Sequence, residues 1–403
     1  MTQKAWKELY EASSHLTKPA HAKALIASEA IPEIKRMLLA VTRNFLKKGD
    51  VHLGLKTYID KTLRNDMTDH MLAQLPTDTD TLETWSQQIF GKEKFGMILN
   101  SLEAHSNEFS EKAATIVQPL LNIAGLPLQG LSFLFFMGNY GFTPFGIHKE
   151  NVGEEGILFH LGPGKKLFYM WDDPTYNTIA HNTQVFHNIE EMLPKAQCYE
   201  LEPGDAMFIP HQVYHVANTE DFSVSFVMDY INPPMDSFEN ELIEQTATEQ
   251  LRHQQTHQIP VQMESDRSSW KSLLNPESIQ KKVEIALQRK ILALQSNGGI
   301  ALKSNKIHQS QFSNKSFSIQ GKTMFPLLID VSDDEMIIFA RGHRLREKKH
   351  SNFLQFIENL NDQKIVSFDE IRELLEPDWD LIDIYGFLGK LIATESVRVV
   401  MTS

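Results

Sequence analysis

His148 and Glu150 stand two residues apart in FGIHKENVGEEG, so on an extended backbone their side chains leave the same side of the chain. His215 lies far along the sequence in PGDAMFIPHQVYHVAN and can join them only through the fold. Two imidazoles and one carboxylate on one side of an iron ion leave its opposite positions open, which is what O2 and a bidentate co-ligand require. Donors of this type are the ones available, because the single cysteine, Cys198, excludes a multi-cysteine zinc site and an intrachain disulfide framework. A lone His-x-Glu among sixteen histidines carries little weight. The second segment adds to it: Gly204-Asp205 reads as a tight turn, Ala206–Ile209 as a buried strand, and Pro210 as its end before a loop bearing His215.

Such a site needs a rigid scaffold, and the middle of the chain offers one. LSFLFFMGNY, EEGILFHLGPG, KKLFYMW, CYELEPGDAMFIP and DFSVSFVMDYI are short runs rich in Phe, Val, Ile and Tyr, separated by GPG, DDP and EPGD. Many short strands at this spacing predict an all-β sandwich or barrel of the jelly-roll kind over residues 129–235. In DFSVSFVMDY, Phe222, Val224, Phe226 and Met228 share one face, and Ser223, Ser225 and Val227 the other. Residues 1–128 read mostly as helix: AHAKALIASEAIPEIKRMLLAVTRNFLKKGD, then KTYIDKTLRNDMTDHMLAQL, then SLEAHSNEFSEKAATIVQPLLNIAG. Over 236–300 the helical period returns in SFENELIEQTATEQLRHQQ and NPESIQKKVEIALQRKILALQSN, joined by a polar linker. In 301–403, FPLLIDVSDDEMIIFARG predicts two strands about an Asp-rich turn. SFDEIRELL with Ser367 at an N-cap, DLIDIYGFLGKLIATE and VRVVM then give the helix, helix, strand order of a winged helix.

The length of 403 residues implies two or three domains, and 41% hydrophobic with 23% charged residues excludes a disordered chain. A net charge of −13 disfavours broad binding to nucleic acid or anionic lipid. MTQKAWKELYEASS has no apolar signal core, and the run Leu131–Met137 is too short to cross a bilayer, so a cytoplasmic protein without membrane or direct nucleic-acid partners is expected.

From about residue 130 to 232 the sequence resembles the JmjC (Jumonji C) domain of the 2-oxoglutarate oxygenases. The resemblance rests on His148-x-Glu150 together with Gly204, Pro210, His215 and Asn218, which follow the second cupin motif. Gln212 stands where a glycine is commoner, and Asn218 comes one position early. The whole-chain order is similar to that of the ribosomal oxygenases, which hydroxylate protein side chains and more often carry Asp at the position of Glu150. The resemblance implies an α+β chain with a double-stranded β-helix (cupin) core, a helical N-terminal region, a helical linker and a C-terminal winged-helix-like domain. It also implies Fe(II) held by His148, Glu150 and His215 as catalytic metal ligands, with 2-oxoglutarate as cosubstrate and O2 as oxidant. In this family a basic residue on a strand after the first two ligands pairs with the distal carboxylate of 2-oxoglutarate. FHLGPGKKLFYMW offers Lys166, favoured by aligning Gly162 and Gly164, or Lys165 if the register slips by one. Asn218 and Ser225 are expected either to orient ligands or cosubstrate or to make structural hydrogen bonds, and Tyr140 and Asn139 to line the pocket.

His160 is expected as a hydrogen-bonded core histidine, with a place in the pocket lining as the alternative, and His211 yields to His215 as ligand because the motif places the ligand there. The implied function is hydroxylation of a side chain in a protein or peptide, with 2-oxoglutarate converted to succinate. A tailoring oxygenase for a peptide natural product or small molecule would use identical ligands, and a non-catalytic cupin would bind without turnover. The helical 236–300 segment resembles the dimerisation segment of ribosomal oxygenases and implies a homodimer. The basic cluster RGHRLREKKH is read as a solvated face. From Asn361 to Ser403, nine acidic residues against four basic ones leave a net −5, so the last domain is read as structural or as a protein-contact module.

Overall fold

Aromatic and β-branched runs bounded by turns form the strands that carry the candidate ligands. The computed structural model describes residues 3–48, 54–179, 183, 185–251, 275–301, 317–331, 336–376 and 378–401. The chain divides into two compact units, Met1–Asn232 with Gly299–Lys303, and Pro233–Gly298 with Ser304–Ser403.

Among its described residues the first unit holds fourteen strands: β1 (Ala20–Ala22), β2 (Leu55–Ile59), β3 (Thr62–Leu63), β4 (Phe95–Asn100), β5 (Gly130–Gly138), β6 (Gly141–Phe142), β7 (Ile147–His148), β8 (Glu154–Pro163), β9 (Lys166–Trp171), β10 (Val185–Phe186), β11 (Gln197–Leu201), β12 (Ala206–Ile209), β13 (Tyr214–Thr219) and β14 (Ser223–Ile231). An eight-stranded antiparallel sheet runs β1-β12-β8-β14-β5-β4-β2-β3. A second antiparallel sheet runs β10-β7-β13-β9-β11, with β6 paired to β13. Their facing sides share one apolar cluster, with Leu158, Met207, Ile209 and Val227 from the large sheet meeting Phe168, Met170, Leu201 and Ala217 from the small one. This is the jelly-roll sandwich expected for residues 129–235, extended at one edge by β4, β2 and β3 and at the other by β1.

Helices cover the outer side of the large sheet. Trp6 of α1 (Gln3–Ala12) meets Phe159 edge-on at 6.0 Å, and its indole Nε1 donates to Ile116 O of α5 (Asn107–Ala124). Phe109 of α5 meets both Phe133 and Phe226, and Phe226 stacks on Phe159 at 4.5 Å. Strand β14 is therefore buried on both sides, its Phe226 side toward the helices and its Val227 side toward the sandwich interior. Strand β5 is covered in two pieces. β4 pairs with it from Leu134 to Gly138, whereas at its start Leu131 N donates to Gly299 O at 2.8 Å and Ala301 N to Leu131 O at 2.7 Å.

The N-terminal region is less helical than its sequence predicts. KTYIDKTLRNDMTDHMLAQL contributes β2 and β3 before α3 (Met67–Ala73), with the chain reversing at Asp60 and Lys61, φ 46° and 67°. The cause is period-2 burial: Leu55, Thr57 and Ile59 are buried while Lys56 is exposed, and the strand finds a partner in β4. Another correction concerns His215, which lies on β13 and not on a loop.

In the second unit, α8 (Met235–Thr246) and α9 (Pro276–Ser296) carry the expected helical segment, and the linker between them lies outside the described residues. Arg289 of α9 donates to Asp330 at 2.7 Å on β16 (Leu328–Val331), which pairs with β17 (Met336–Ala340), itself paired with β18 (His343–Glu347). The Asp-rich turn between β16 and β17 lies outside the described residues. β15 (Phe317–Gly321) lies between β19 (Ile365–Ser367) and β20 (Val397–Met401). Around them pack α10 (Phe353–Asn361), α11 (Phe368–Leu375) and α12 (Leu381–Ala393), which bury Phe353, Phe356, Trp379 and Phe387 together. The helix, helix, strand order is α11, α12, β20. Ser367 caps α11 in a reciprocal box with Glu370. Ser367→Ala should lower the stability of this unit by about 1 kcal/mol, read as a shifted urea midpoint at unchanged slope.

Candidate metal centre

Cross-strand register brings the two histidines together. On the paired strands β7 and β13, His148 and His215 are direct partners, and their ring centres lie 4.1 Å apart. Each ring is turned by its own backbone: His148 Nδ1 donates to Gly146 O at 3.2 Å and His215 Nδ1 to Val213 O at 3.0 Å. A carbonyl can only accept, so Nδ1 carries the proton in both rings and Nε2 presents a lone pair. Glu150 Oε1 lies 3.7 Å from each Nε2, and the three donor atoms lie within 4.8 Å of one another. These spacings are too long for hydrogen bonds and suit donors that each sit about 2 Å from one shared ion.

The electrostatics fit the same ion. Burial, then the facing His215, holds His148 well below the usual imidazole range, and burial holds His215 down at about 4. Both rings are neutral at pH 7, as metal ligands must be. Burial, reinforced by the nearby Glu154 carboxylate, pushes Glu150 up to about 7. A divalent cation is the group that relieves a partly buried carboxylate set beside two neutral imidazoles. Metal binding then displaces a proton from Glu150 below pH 7 and none above it. Co(II) affinity, followed by calorimetry, should fall about tenfold per pH unit below 7 and level off above.

The three residues open onto a cavity of about 110 Å3 between the sheets, walled by Leu134, Phe136, Phe145, Leu158, Phe168, Ile209 and Val227. Lys166 reaches it as the first residue of β9, 1% exposed, and its Nζ donates to Tyr140 OH at 2.9 Å. Lys165 faces outward and pairs with Glu200 and with Glu202, the latter at 3.0 Å. The alternation of the strand thus gives the cavity Lys166, and Tyr140 joins it from the turn between β5 and β6.

The other residues singled out in the sequence lie elsewhere. Ser225 is within hydrogen-bond distance of His160 Nδ1, and His160 Nε2 donates to Gly164 O at 2.6 Å, so both belong to the packing behind Lys166 and neither lines the cavity. Burial, with the Lys166 charge adding to it, lowers His160 to about 4. Asn218 on β13 is also absent from the cavity wall, and Asn139 Oδ1 accepts from Phe95 N. His211 pairs with Glu155 at 2.7 Å and stands apart from the triad. Thr143, Glu154 and Asp229 line the cavity and were not singled out. Asp229 had a signal in the sequence, since it interrupts the apolar run of β14 on the side of Ser225 and Val227. Burial, then Glu150, Glu154 and Glu103, pushes its carboxyl up to about 8.

No protein-family model matches the sequence, and no curated protein matches it. Among solved structures the chain is similar to Escherichia coli YcfD, at 13% identity over 98% of each chain with a TM-score of 0.52. It is likewise similar to a structure of YcfD, a ribosomal oxygenase from Escherichia coli, in complex with cobalt and 2-oxoglutarate, at 11% identity over 98% of each chain and a TM-score of 0.53. At these identities the likeness is one of fold: the cupin core expected from the sequence, within a chain of similar extent. Among the described residues no helix is long and apolar enough to cross a membrane.

Proposed function

We propose that this chain, which has the fold of a ribosomal oxygenase, is an Fe(II)- and 2-oxoglutarate-dependent hydroxylase acting on an amino-acid side chain of a protein or peptide. One observation carries the reading. A single apolar cavity has His148, Glu150 and His215 in its wall together with a buried lysine, Lys166, that no carboxylate among the described residues pairs with. That is the complement of 2-oxoglutarate, whose 2-oxo acid end chelates a metal and whose distal carboxylate needs a cation. Tyr140 OH accepts from Lys166, so its own hydrogen is left to give to the same carboxylate. Iron in the triad would supply O2 activation, with 2-oxoglutarate decarboxylated to succinate as co-reductant. The chain's own contribution is orientation and dryness: the Nδ1 contacts fix both imidazoles, and the Phe145, Leu158, Phe168 and Ile209 walls exclude water from the reacting end.

The test is incubation of the purified protein with Fe(II), 2-oxoglutarate and a cell lysate, followed by mass spectrometry of peptides and measurement of succinate. Succinate together with a peptide that gains one oxygen atom supports the reading. A peptide that loses a methylene unit points to demethylation, and succinate without any altered peptide points to a small-molecule substrate. Iron bound with no succinate formed under any substrate makes the chain a non-catalytic cupin.

The second unit supports assembly or substrate docking in this reading, with pairing of two copies through the 236–300 segment and a winged-helix-like end that does not bind DNA. Two residues of the basic cluster pair with acidic neighbours, Arg344 with Glu249 and Lys348 with Asp383. The net −5 over Asn361–Ser403 sets the helices and strand of the winged-helix-like end against phosphates.

A further inference from the structure

Two of the three candidate ligands are aimed through their own rings, by the carbonyls of Gly146 and Val213. Glu150 has no such support. Strand β7 ends at His148, so Glu150 lies beyond the ladder that sets the histidine pair. What meets its backbone is Gln212, whose Nε2 donates to Glu150 O at 3.0 Å while its Oε1 accepts from Lys149 Nζ at 3.0 Å. Lys149 is 2% exposed, donates also to Asn177 Oδ1 at 3.2 Å, and stands 5.1 Å from the centre of the Tyr214 ring. One amide therefore bridges residues 149 and 150 of the first ligand segment to the second, three residues before His215. Gln212 does this at φ 66°, the left-handed region that disfavours any side chain beyond glycine, and it occupies the motif position where glycine is commoner. A strained position that keeps a long side chain, with both ends of its amide occupied, is kept for what that side chain holds.

We propose that Gln212 is the positioning residue for Glu150, with Lys149 and Asn177 completing the clamp; this rests on reading His148, Glu150 and His215 as metal ligands. Removing the clamp frees the Glu150 backbone and spreads its carboxylate over positions that do not meet the two Nε2 atoms. Metal affinity drops while the fold, relieved of a left-handed glutamine, is kept.

Titration of the metal-free protein with Co(II), followed by calorimetry and by the visible absorption of the bound ion, reads the site without turnover. Gln212→Gly should melt no lower than the parent in the absence of metal yet bind Co(II) roughly ten- to a hundredfold more weakly, the range for loss of a group that orients a ligand. Gln212→Glu keeps an acceptor for Lys149 but has no hydrogen for Glu150 O, and should be weakened in the same way. Asn177→Ala, which leaves the Gln212 bridge intact, should lose less. Unchanged Co(II) affinity and absorption in both Gln212 variants would overturn the clamp and leave the metal centre standing. Loss of affinity accompanied in both by an equal loss of thermal stability would make Gln212 a fold contact and overturn it as well. A parent protein that takes up no Co(II) would overturn the ligand assignment itself, and the clamp with it.

Discussion

His148→Ala and His215→Ala should each abolish iron-dependent formation of succinate from 2-oxoglutarate. The two imidazoles are partners across one strand pair, are held neutral at pH 7, and present Nε2 toward the same carboxylate oxygen. Loss of either leaves a single imidazole and Glu150, which cannot enclose one side of an ion. Loss of an orienting neighbour typically costs ten- to a hundredfold in metal affinity, so loss of a ligand itself should exceed about a hundredfold. His211→Ala is the control: it pairs with Glu155 and should retain succinate formation. Full activity in His215→Ala would defeat the assignment, and activity lost in His211→Ala with His215→Ala unaffected would move the ligand to the neighbouring turn.

Lys166→Ala should weaken 2-oxoglutarate binding by roughly a hundredfold or more while Co(II) binding is nearly intact. The lysine is buried at the cavity and meets the Tyr140 hydroxyl, and it is the one Lys or Arg side chain among the described residues lining the cavity, so the distal carboxylate of a dicarboxylate finds its counter-charge there. Removing the cation leaves the distal carboxylate unpaired at a buried position, a cost on the order of 3 kcal/mol or more. Tyr140→Phe should cost about 1 kcal/mol, since it removes a hydrogen bond and no charge. Lys165→Ala should change nothing, because Lys165 pairs with glutamates on the outside of β9. A calorimetric loss in Lys165→Ala and none in Lys166→Ala would refute the inward register.

The β core was legible because its strands are short, aromatic and bounded by turns, and because His148-x-Glu150 together with the Gly204–His215 segment resembles the paired motifs of a cupin core. What spacing does not fix is parity. Lys165 and Lys166 are indistinguishable until β9 is paired with β11 and β13, when Lys166 falls opposite Leu201 and turns inward. The same limit hid β2 and β4. FGMILN is buried at five consecutive positions and so shows no alternation to separate strand from helix, and without it KTYID has no visible partner. For Ser225 and Asn218 the sequence left a ligand-orienting role and a structural hydrogen bond both open, because nearness to a motif in sequence is not access to a cavity. The hydroxyl of Ser225 meets a histidine that the sequence already marked as core. Asp229 gave the opposite lesson, a carboxylate in an apolar strand whose only rationale is the space it faces.

Leu131 is held by residues 299–301, which arrive in the chain only after α8 and α9 have been made. During synthesis the first unit is therefore not finished when its last long strand, β14, leaves the ribosome. The start of β5 waits, with its outer backbone groups unpaired, for a segment that emerges dozens of residues later. An incomplete sheet edge of this kind is where a nascent chain pairs with the wrong partner. Ile300, 1% exposed once in place, is the residue that closes it. Completion of the β core is thereby tied to synthesis of the helices that follow it, and a gene fragment cut after β14 would encode a core that keeps its candidate ligands but stays open at one edge.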